Sequence, residues 1–188
     1  MTISSSAQKI VDAAVLHFAE KGFDAGSLNT IAEGVGIRKA TIYSHFKNKE
    51  ELFLQAFTEA VEKEGAFVDE CFSRDECSGE TYLTNVSGRY QDSARLRFLL
   101  RTAFIPPEEL RGTVQEGYGE FLNKVRAHFV SGLSPEVSLR ETLWANAYLG
   151  IVDSVHVELL YASATAAEAR REALWFIFHA SLNRTERG

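Results

Sequence analysis

The chain has 188 residues, of which 45% are hydrophobic and 24% charged, and its formal net charge is −6. This composition is too apolar for an intrinsically disordered chain, and it fits one ordinary domain or a small module joined to a larger one. No run of eighteen apolar residues occurs, so we expect no membrane-spanning helix. The first residues, MTISSSAQKI, lack the basic and apolar regions of a secretory signal, which predicts a cytoplasmic protein.

The polar residue patterns argue against an enzyme or a metal site. Cys71 and Cys77 are too few for a disulfide framework and have no histidine neighbours that would suggest zinc. The five histidines show no metal-ligand spacing, and the two Ser-x-x-Lys matches have no partner motifs. Gly34-Val-Gly36 follows no strand, so it is not a dinucleotide-binding loop. We therefore expect no catalytic residues, no cofactor and no metal.

The negative net charge is unevenly distributed along the chain. Residues 1–49 contain six basic and four acidic residues, a net charge of +2, whereas the remainder has 14 basic and 22 acidic residues, a net charge of −8. Within residues 34–49 there are four basic residues and no acidic one. A basic window on an acidic protein is typical of a surface that faces phosphates, although a chance fluctuation on a solvated face remains the alternative.

The first two helices are indicated by apolar periodicity and by their end signals. Apolar residues recur on one face over residues 10–18, where Ser5 and Gln8 fit a capping box and Gly22 fits the end. A short second helix is predicted to begin after Ser27 and to end at Gly36, where glycine can take a positive φ.

Further helices are predicted along the rest of the chain. A third short helix covers about residues 38–45, and Asn48 with Glu51 fits a capping box that opens a long fourth helix. The polar segment 73–92 predicts a loop with a short helix. Further predicted helices follow the apolar faces at 96–104, which Pro106-Pro107 terminates, at 143–159 after Ser134-Pro135, and at 166–182. Another helix follows the apolar face at 114–129, where Gly112, Gly117 and Gly119 indicate a break or a close approach of another backbone.

No alternating strand pattern of useful length and no internal repeat occurs, so the sequence predicts an all-α fold of about nine helices. We divide it into an N-terminal three-helix head, residues 1–49, and a larger helical effector-binding and dimerisation domain, residues 50–188.

A short helix, a glycine turn and another short helix coincide with the basic window, and this layout is typical of a helix-turn-helix. Ala32 is small where two helices must cross, Gly36 supplies the turn, and Ile42 is predicted to pack between the helices. The third helix would then present outward residues that can contact phosphates and base edges, namely Arg38, Lys39, Thr41, Tyr43 and His45.

The run SLNTIAEGVGIRKATIYSHFKNKEELF, residues 27–53, resembles the DNA-binding signature of the TetR family of bacterial transcriptional regulators. The matches include Ile31-Ala32, Thr41-Ile42-Tyr43, His45-Phe46-Lys47 and Lys49-Glu50. Two positions depart from the pattern: Ala40 stands where glycine is usual, and Arg38 stands where serine is usual. These departures limit inference about the operator sequence.

The resemblance implies a role for each matched residue. Thr41, Tyr43, His45 and Lys49 would contact phosphates, and Lys39, with Thr41 and Tyr43, would reach base edges. Ser27 would cap the second helix and contact the DNA backbone, and Arg38 would add a base or phosphate contact.

The resemblance also implies a homodimer on a palindromic double-stranded DNA operator, repression, and release by a small lipophilic or aromatic effector. We assign the dimer interface to a face of the last two helices that carries Leu143, Ala147, Ile151, Val155 and Leu159, with intramolecular core as the alternative. For effector binding we choose Phe98, Arg101, Phe121, Trp144 and Tyr148, because an aromatic lining with few polar groups suits such a ligand. The alternative function is a helical small-molecule-binding or interaction protein with a vestigial DNA-binding head.

Overall fold

The computed structural model describes residues 3–74, 79–134 and 140–186. Those residues form nine α-helices and no strand, so the all-α prediction is confirmed. A single 3₁₀ turn, Glu108–Leu110, lies before the seventh helix. The α-helices are α1 (Ser5–Lys21), α2 (Leu28–Val35), α3 (Lys39–Tyr43), α4 (Lys49–Arg74), α5 (Glu80–Arg89), α6 (Ala94–Phe104), α7 (Arg111–Ser131), α8 (Glu141–Tyr161) and α9 (Ala164–Glu186).

The predicted ends of the first helices are mostly found where the residue types place them. The capping residue of α1 is Ser4 rather than the predicted Ser5, since the Ser4 hydroxyl accepts a hydrogen bond from the Ala7 N–H at 3.2 Å. Helix α1 ends at Gly22, whose φ is 73°. Before α4 the amide of Glu51 donates to the Asn48 side chain at 2.8 Å, as predicted, but the Glu51 carboxylate accepts from the Lys47 N–H rather than closing a capping box on Asn48.

Two compact units are formed by the chain. The first unit consists of the residues up to Glu64 together with Ser93–Tyr118, and the second consists of Gly65–Asp92 and the residues from Gly119 onward. The division after Lys49 concerns the assignment of functions along the chain, and it stays a prediction.

The core of the first unit is built around three phenylalanine rings. The Phe18 ring from α1 packs edge-on against Phe53 from α4, with centroids 5.0 Å apart. Phe98 from α6 contacts both rings, at centroid distances of 6.1 Å to Phe18 and 5.2 Å to Phe53. All three side chains are at most 1% exposed, so they hold α1, α4 and α6 together by burial of aromatic surface.

The core of the second unit includes α5, in the segment predicted to be mainly loop. Tyr82, Leu83 and Val86 of this ten-residue helix are buried. Their apolar face is too short to stand out among the polar neighbours. Deeper in the unit, Tyr148 stacks on Phe129 with centroids 4.3 Å apart, and its hydroxyl donates to the Gly79 carbonyl at 2.8 Å.

Helix α7 is continuous, so the predicted break near its glycines does not occur. Among the described residues, another backbone does not approach these glycines closely either: a Cβ atom at Gly117 would lie 2.9 Å from the Phe57 ring, which is a side chain, and one at Gly112 or Gly119 would meet nothing within 4 Å. Two predictions, the start of a helix at Pro135 and the properties of Cys77, lie outside the described residues.

Candidate nucleic-acid interface

Helices α2 and α3 and the turn between them are fixed by local interactions. The Ser27 hydroxyl accepts a hydrogen bond from the Thr30 N–H at 3.3 Å, which caps α2 as predicted. Gly36 takes the left-handed conformation, with φ 73° and ψ 31°, and its N–H donates to the end of α2. The chain therefore turns within a few residues into α3.

The inner side of α3 is anchored by two buried side chains. Ile42 is fully buried and Phe46, just beyond the helix, is 5% exposed. Because these residues face inward, Arg38, Lys39 and Tyr43 lie on the exposed side. Regular helix covers only Lys39–Tyr43, which is shorter than the predicted 38–45.

The exposed side of α3 is polar and basic. Tyr43 is 49% exposed, and the Lys39 ammonium lies 5.9 Å from the centroid of its ring. His45 is exposed and Thr41 is half-buried. With no acidic residue between positions 34 and 49, this surface favours an anionic partner.

Lys49 lies at the first turn of α4 and has an intramolecular role as well. Its ammonium donates to the Phe23 carbonyl at 2.9 Å and lies 4.2 Å from the centroid of the Phe23 ring. These contacts tie α4 to the segment between α1 and α2. An ammonium has three N–H donors, so the side chain retains donors for a phosphate.

His17 is a supporting residue that the sequence analysis did not identify. Its Nε2 accepts a hydrogen bond from the Ser27 N–H at 2.9 Å, immediately before α2. Partial burial, with a further contribution from the nearby Lys21 ammonium, lowers the pKa of His17 and favours the neutral ring that can accept this bond. Since the Ser27 amide is engaged, its hydroxyl is the group left to donate to DNA.

The five predicted effector residues lie in two different units. Phe98 belongs to the core of the first unit, and Arg101 is half-buried in the same unit. Phe121, Trp144 and Tyr148 are buried in the second unit, where Trp144 and Tyr148 both pack against Phe178 at 5.8 and 6.3 Å between centroids. Their role in effector binding stays a prediction.

The five residues predicted at the dimer interface differ in exposure. Leu143 is 56% exposed and Ala147 is exposed, whereas Ile151, Val155 and Leu159 are at most 5% exposed within the chain. The last three thus have little surface left for a partner. Other large apolar residues of α8 and α9 are exposed, namely Val157, Tyr161, Phe176 and Ile177.

Among the residues that the structure describes, no group of three or more His, Cys, Asp or Glu side chains is placed to hold a metal ion. None of the described helices combines the length and the apolar character that crossing a membrane requires.

The N-terminal helices match the model of a known protein family. Residues 10–56 match the model of "Bacterial regulatory proteins, tetR family". The curated relative IcaR of Staphylococcus epidermidis, described as a biofilm operon icaADBC HTH-type negative transcriptional regulator, is 47% identical over 45 residues, which is 24% of each chain. The alignment thus spans about a quarter of that relative's length.

Comparison with solved structures extends the similarity to the whole fold. A TetR-family transcriptional regulator from Cytophaga hutchinsonii gives a TM-score of 0.71 at 17% identity, covering 96% of this chain and 98% of the other. The transcriptional regulator FadR from Bacillus subtilis, in complex with stearoyl-CoA, gives 0.64 at 22% identity, covering 89% and 96%. At these identities the similarity concerns the fold alone.

Proposed function

Because the chain belongs to the TetR family of bacterial regulatory proteins, we propose that it is a DNA-binding transcriptional regulator that acts as a repressor. The observation that carries this proposal is the exposed polar side of α3, with Arg38, Lys39 and Tyr43 opposite the buried Ile42. Repression is supported by the negative regulator among the relatives.

Recognition of DNA follows from the docking of α3 in the major groove. Lys39, with Thr41 and Tyr43, would read base edges, since an ammonium and hydroxyls can pair with groove acceptors. Thr41, Tyr43, His45 and Lys49 would also contact phosphates, and such contacts position the protein on the duplex without reading its sequence.

Two further groups would complete the contacts with the backbone. Arg38 stands immediately before α3 and is exposed, so its guanidinium can reach a phosphate or a base. Ser27 would contribute its hydroxyl proton, because its amide donates to His17 and its hydroxyl oxygen accepts from Thr30.

The regulator would act as a homodimer on a palindromic operator. A two-fold symmetric dimer presents two helix-turn-helix heads to two equivalent half-sites. The exposed apolar residues of α8 and α9, among them Leu143, Tyr161 and Phe176, support an interface on these helices. Ile151, Val155 and Leu159 would support that interface from within the chain.

The effector would be a small lipophilic or aromatic molecule. The aromatic cluster of Phe129, Trp144, Tyr148 and Phe178 in the second unit is the kind of lining that such a ligand requires. The similarity in fold to a regulator that binds stearoyl-CoA supports a lipophilic ligand. Binding would release the operator if the effector prefers the state with low DNA affinity.

Replacement of Tyr43 tests the proposed interface. We expect Tyr43→Ala to weaken binding to a selected operator duplex by about tenfold or more, because a hydrogen bond to a charged phosphate is lost. Fluorescence anisotropy would measure the affinity and circular dichroism the melting temperature. The matched control is Leu16→Ala, since Leu16 is 57% exposed on α1 of the same unit. Unchanged affinity, or a joint loss of affinity and fold, would contradict a contact role for Tyr43.

A further inference from the structure

A cavity of about 370 Å³ lies in the first unit, between the segment that follows α1 and the end of α6. Lys21–Ala25 line one part of it, and Arg101, Thr102 and Ile105–Glu108 line another. Phe53 of α4 also contributes to the lining. Its volume is in the range of small-molecule sites in proteins.

The polar group of interest in this cavity is the guanidinium of Arg101. It lies in close contact with Gly22, since a Cβ atom at that glycine would be 3.0 Å from Nε and 3.1 Å from Nη2 of Arg101. Within residues 3–74, 79–134 and 140–186, the guanidinium has no hydrogen-bond or ion-pair partner. Arg95, on the same helix, pairs instead with Asp12 at 2.7 Å and Glu59 at 3.1 Å.

The charges of the lining favour an anion near Arg101. Lys21 contributes a second cation, while Asp24 and Glu108 are the acidic residues. Glu108 is engaged in an ion pair with Arg111, and the Asp24 side chain is exposed to solvent. A guanidinium presents a planar set of donors that matches the two oxygens of a carboxylate.

The remaining lining is apolar. Phe53 is buried, Ile105 is 51% exposed, and Pro106 and Pro107 follow it. These side chains offer contact area to a hydrocarbon group but no hydrogen bonds. They therefore disfavour inorganic phosphate and favour an acid that carries an apolar body.

We propose that this cavity binds a small organic carboxylate, with its anionic group on Arg101 and its apolar body against Phe53, Ile105 and the two prolines. The site goes beyond the proposed function, because it lies in the first unit and its occupation does not require DNA. It contacts the segment from Lys21 to Ala25, which leads into the cap of α2, so a bound acid would act on the start of the helix-turn-helix.

Calorimetric titration of the full chain with 3-phenylpropionate, in the absence of DNA, tests this site. We expect one acid to bind per chain, and the neutral 3-phenylpropionamide to bind at least about tenfold more weakly because it lacks the charge-assisted hydrogen bonds. Arg101→Gln should weaken binding of the acid by a similar factor. Arg140→Gln, a change at an exposed arginine outside the first unit, should leave the affinity unchanged.

A second variant keeps the test decisive should Arg101→Gln fail to fold. Ile105→Glu places a carboxylate beside the cavity at a half-exposed position, where it would occupy Arg101 and exclude the acid. No binding of the acid by the folded wild-type chain, equal binding of acid and amide, or competition by inorganic phosphate at equal concentration would overturn the proposal. Since the titration contains no DNA, its failure is distinct from a failure to bind an operator.

Discussion

His156 is a fully buried histidine of α8, and its Nε2 lies 3.2 Å from the Tyr82 hydroxyl of α5. Burial lowers the pKa of His156 from 6.5 to about 3, because the low-dielectric interior disfavours the charged ring. The neutral ring can share a hydrogen bond with Tyr82, so the residue is satisfied as a core group. The pKa of His17, whose ring accepts a hydrogen bond from the Ser27 N–H, is also lowered.

The shift at His156 predicts a loss of stability in mild acid. The unfolded chain titrates this group near pH 6.5, so below that pH the unfolded state binds a proton that the folded state excludes. We expect the free energy of unfolding to fall by about 1.4 kcal/mol for each pH unit below 6.5 from this group alone. Urea denaturation measured at a series of pH values down to about pH 5, above the range where most carboxylates titrate, would follow this change. His156→Gln should lose this slope, and a control at the exposed His179, His179→Gln, should keep it. An equal slope in both variants would disprove the assignment.

Within the helix-turn-helix, Gly34 and Gly36 provide a comparison between two glycines two residues apart. A Cβ atom at either position would meet nothing within 4 Å, so space does not distinguish them. Gly34 lies within α2, whereas Gly36 has a φ of 73° at the turn. The backbone conformation alone therefore separates the two positions.

We expect alanine to have opposite effects at these glycines. Gly34→Ala should stabilise the protein by up to about 1 kcal/mol, because alanine is the better helix former. Gly36→Ala should destabilise it by about 1 to 2 kcal/mol, because a side chain is strained in the left-handed region. Chemical denaturation of both variants measures the difference, and a change of the same sign at both positions would show that φ does not determine the turn.

The helix-turn-helix could be predicted because its signals are local. Ser27, Gly36 and Ile42 each act within a few residues of their own position, through a cap, a turn and an anchor. The sequence predicts only a short helix within a loop where α5 lies, because its apolar residues are few and they are buried by packing in the second unit. Likewise, periodicity on α8 marks an apolar face but does not reveal whether the chain itself or a partner covers it.

Arg101 and His17 show a second limit of sequence reasoning. The helical pattern places Arg101 on an otherwise apolar helix, but it does not predict that the guanidinium lies against Gly22. The bond from Ser27 to His17 joins residues on either side of a turn. The position of Arg101 and the hydrogen bond from Ser27 to His17 both depend on distances in the folded chain, which the spacing of residues along the sequence does not define.

For the whole molecule, the proposed dimer would depend on apolar surface that the chain itself leaves exposed. Leu159 is 4% exposed, so a charge at that residue would unfold the chain rather than separate subunits. Phe176 of α9 is 76% exposed, so a charge at this residue tests the proposed interface better than a charge at Leu159 does. Phe176 is one of several exposed large apolar residues on α8 and α9, and apolar patches of this kind are typical of surfaces that another molecule covers.

If the proposed dimer forms through α8 and α9, Phe176→Asp should yield monomers without a large loss of secondary structure, because a charge would be buried at the interface without a partner. Analytical ultracentrifugation would measure the mass in solution. Leu16→Asp is the control, since Leu16 is 57% exposed on α1 and lies outside the proposed interface. A Phe176→Asp protein that sediments as a dimer would move the interface elsewhere.

The distribution of charge is compatible with the proposed binding of DNA by an acidic protein. The net charge of +2 on residues 1–49 accompanies a net charge of −8 on the rest, so attraction to phosphates is restricted to the helix-turn-helix and its neighbours. Duplex affinity should therefore fall steeply with salt concentration, because phosphate contacts release counterions.

Selection from a library of random DNA duplexes at low salt would show whether the chain recognises an operator through α3. We predict enrichment of a two-fold symmetric sequence, with each half-site read by one α3 helix and with binding lost on Tyr43→Ala. Recovery of no enriched sequence by the folded wild-type protein, or of sequences that Tyr43→Ala binds equally well, would contradict this prediction.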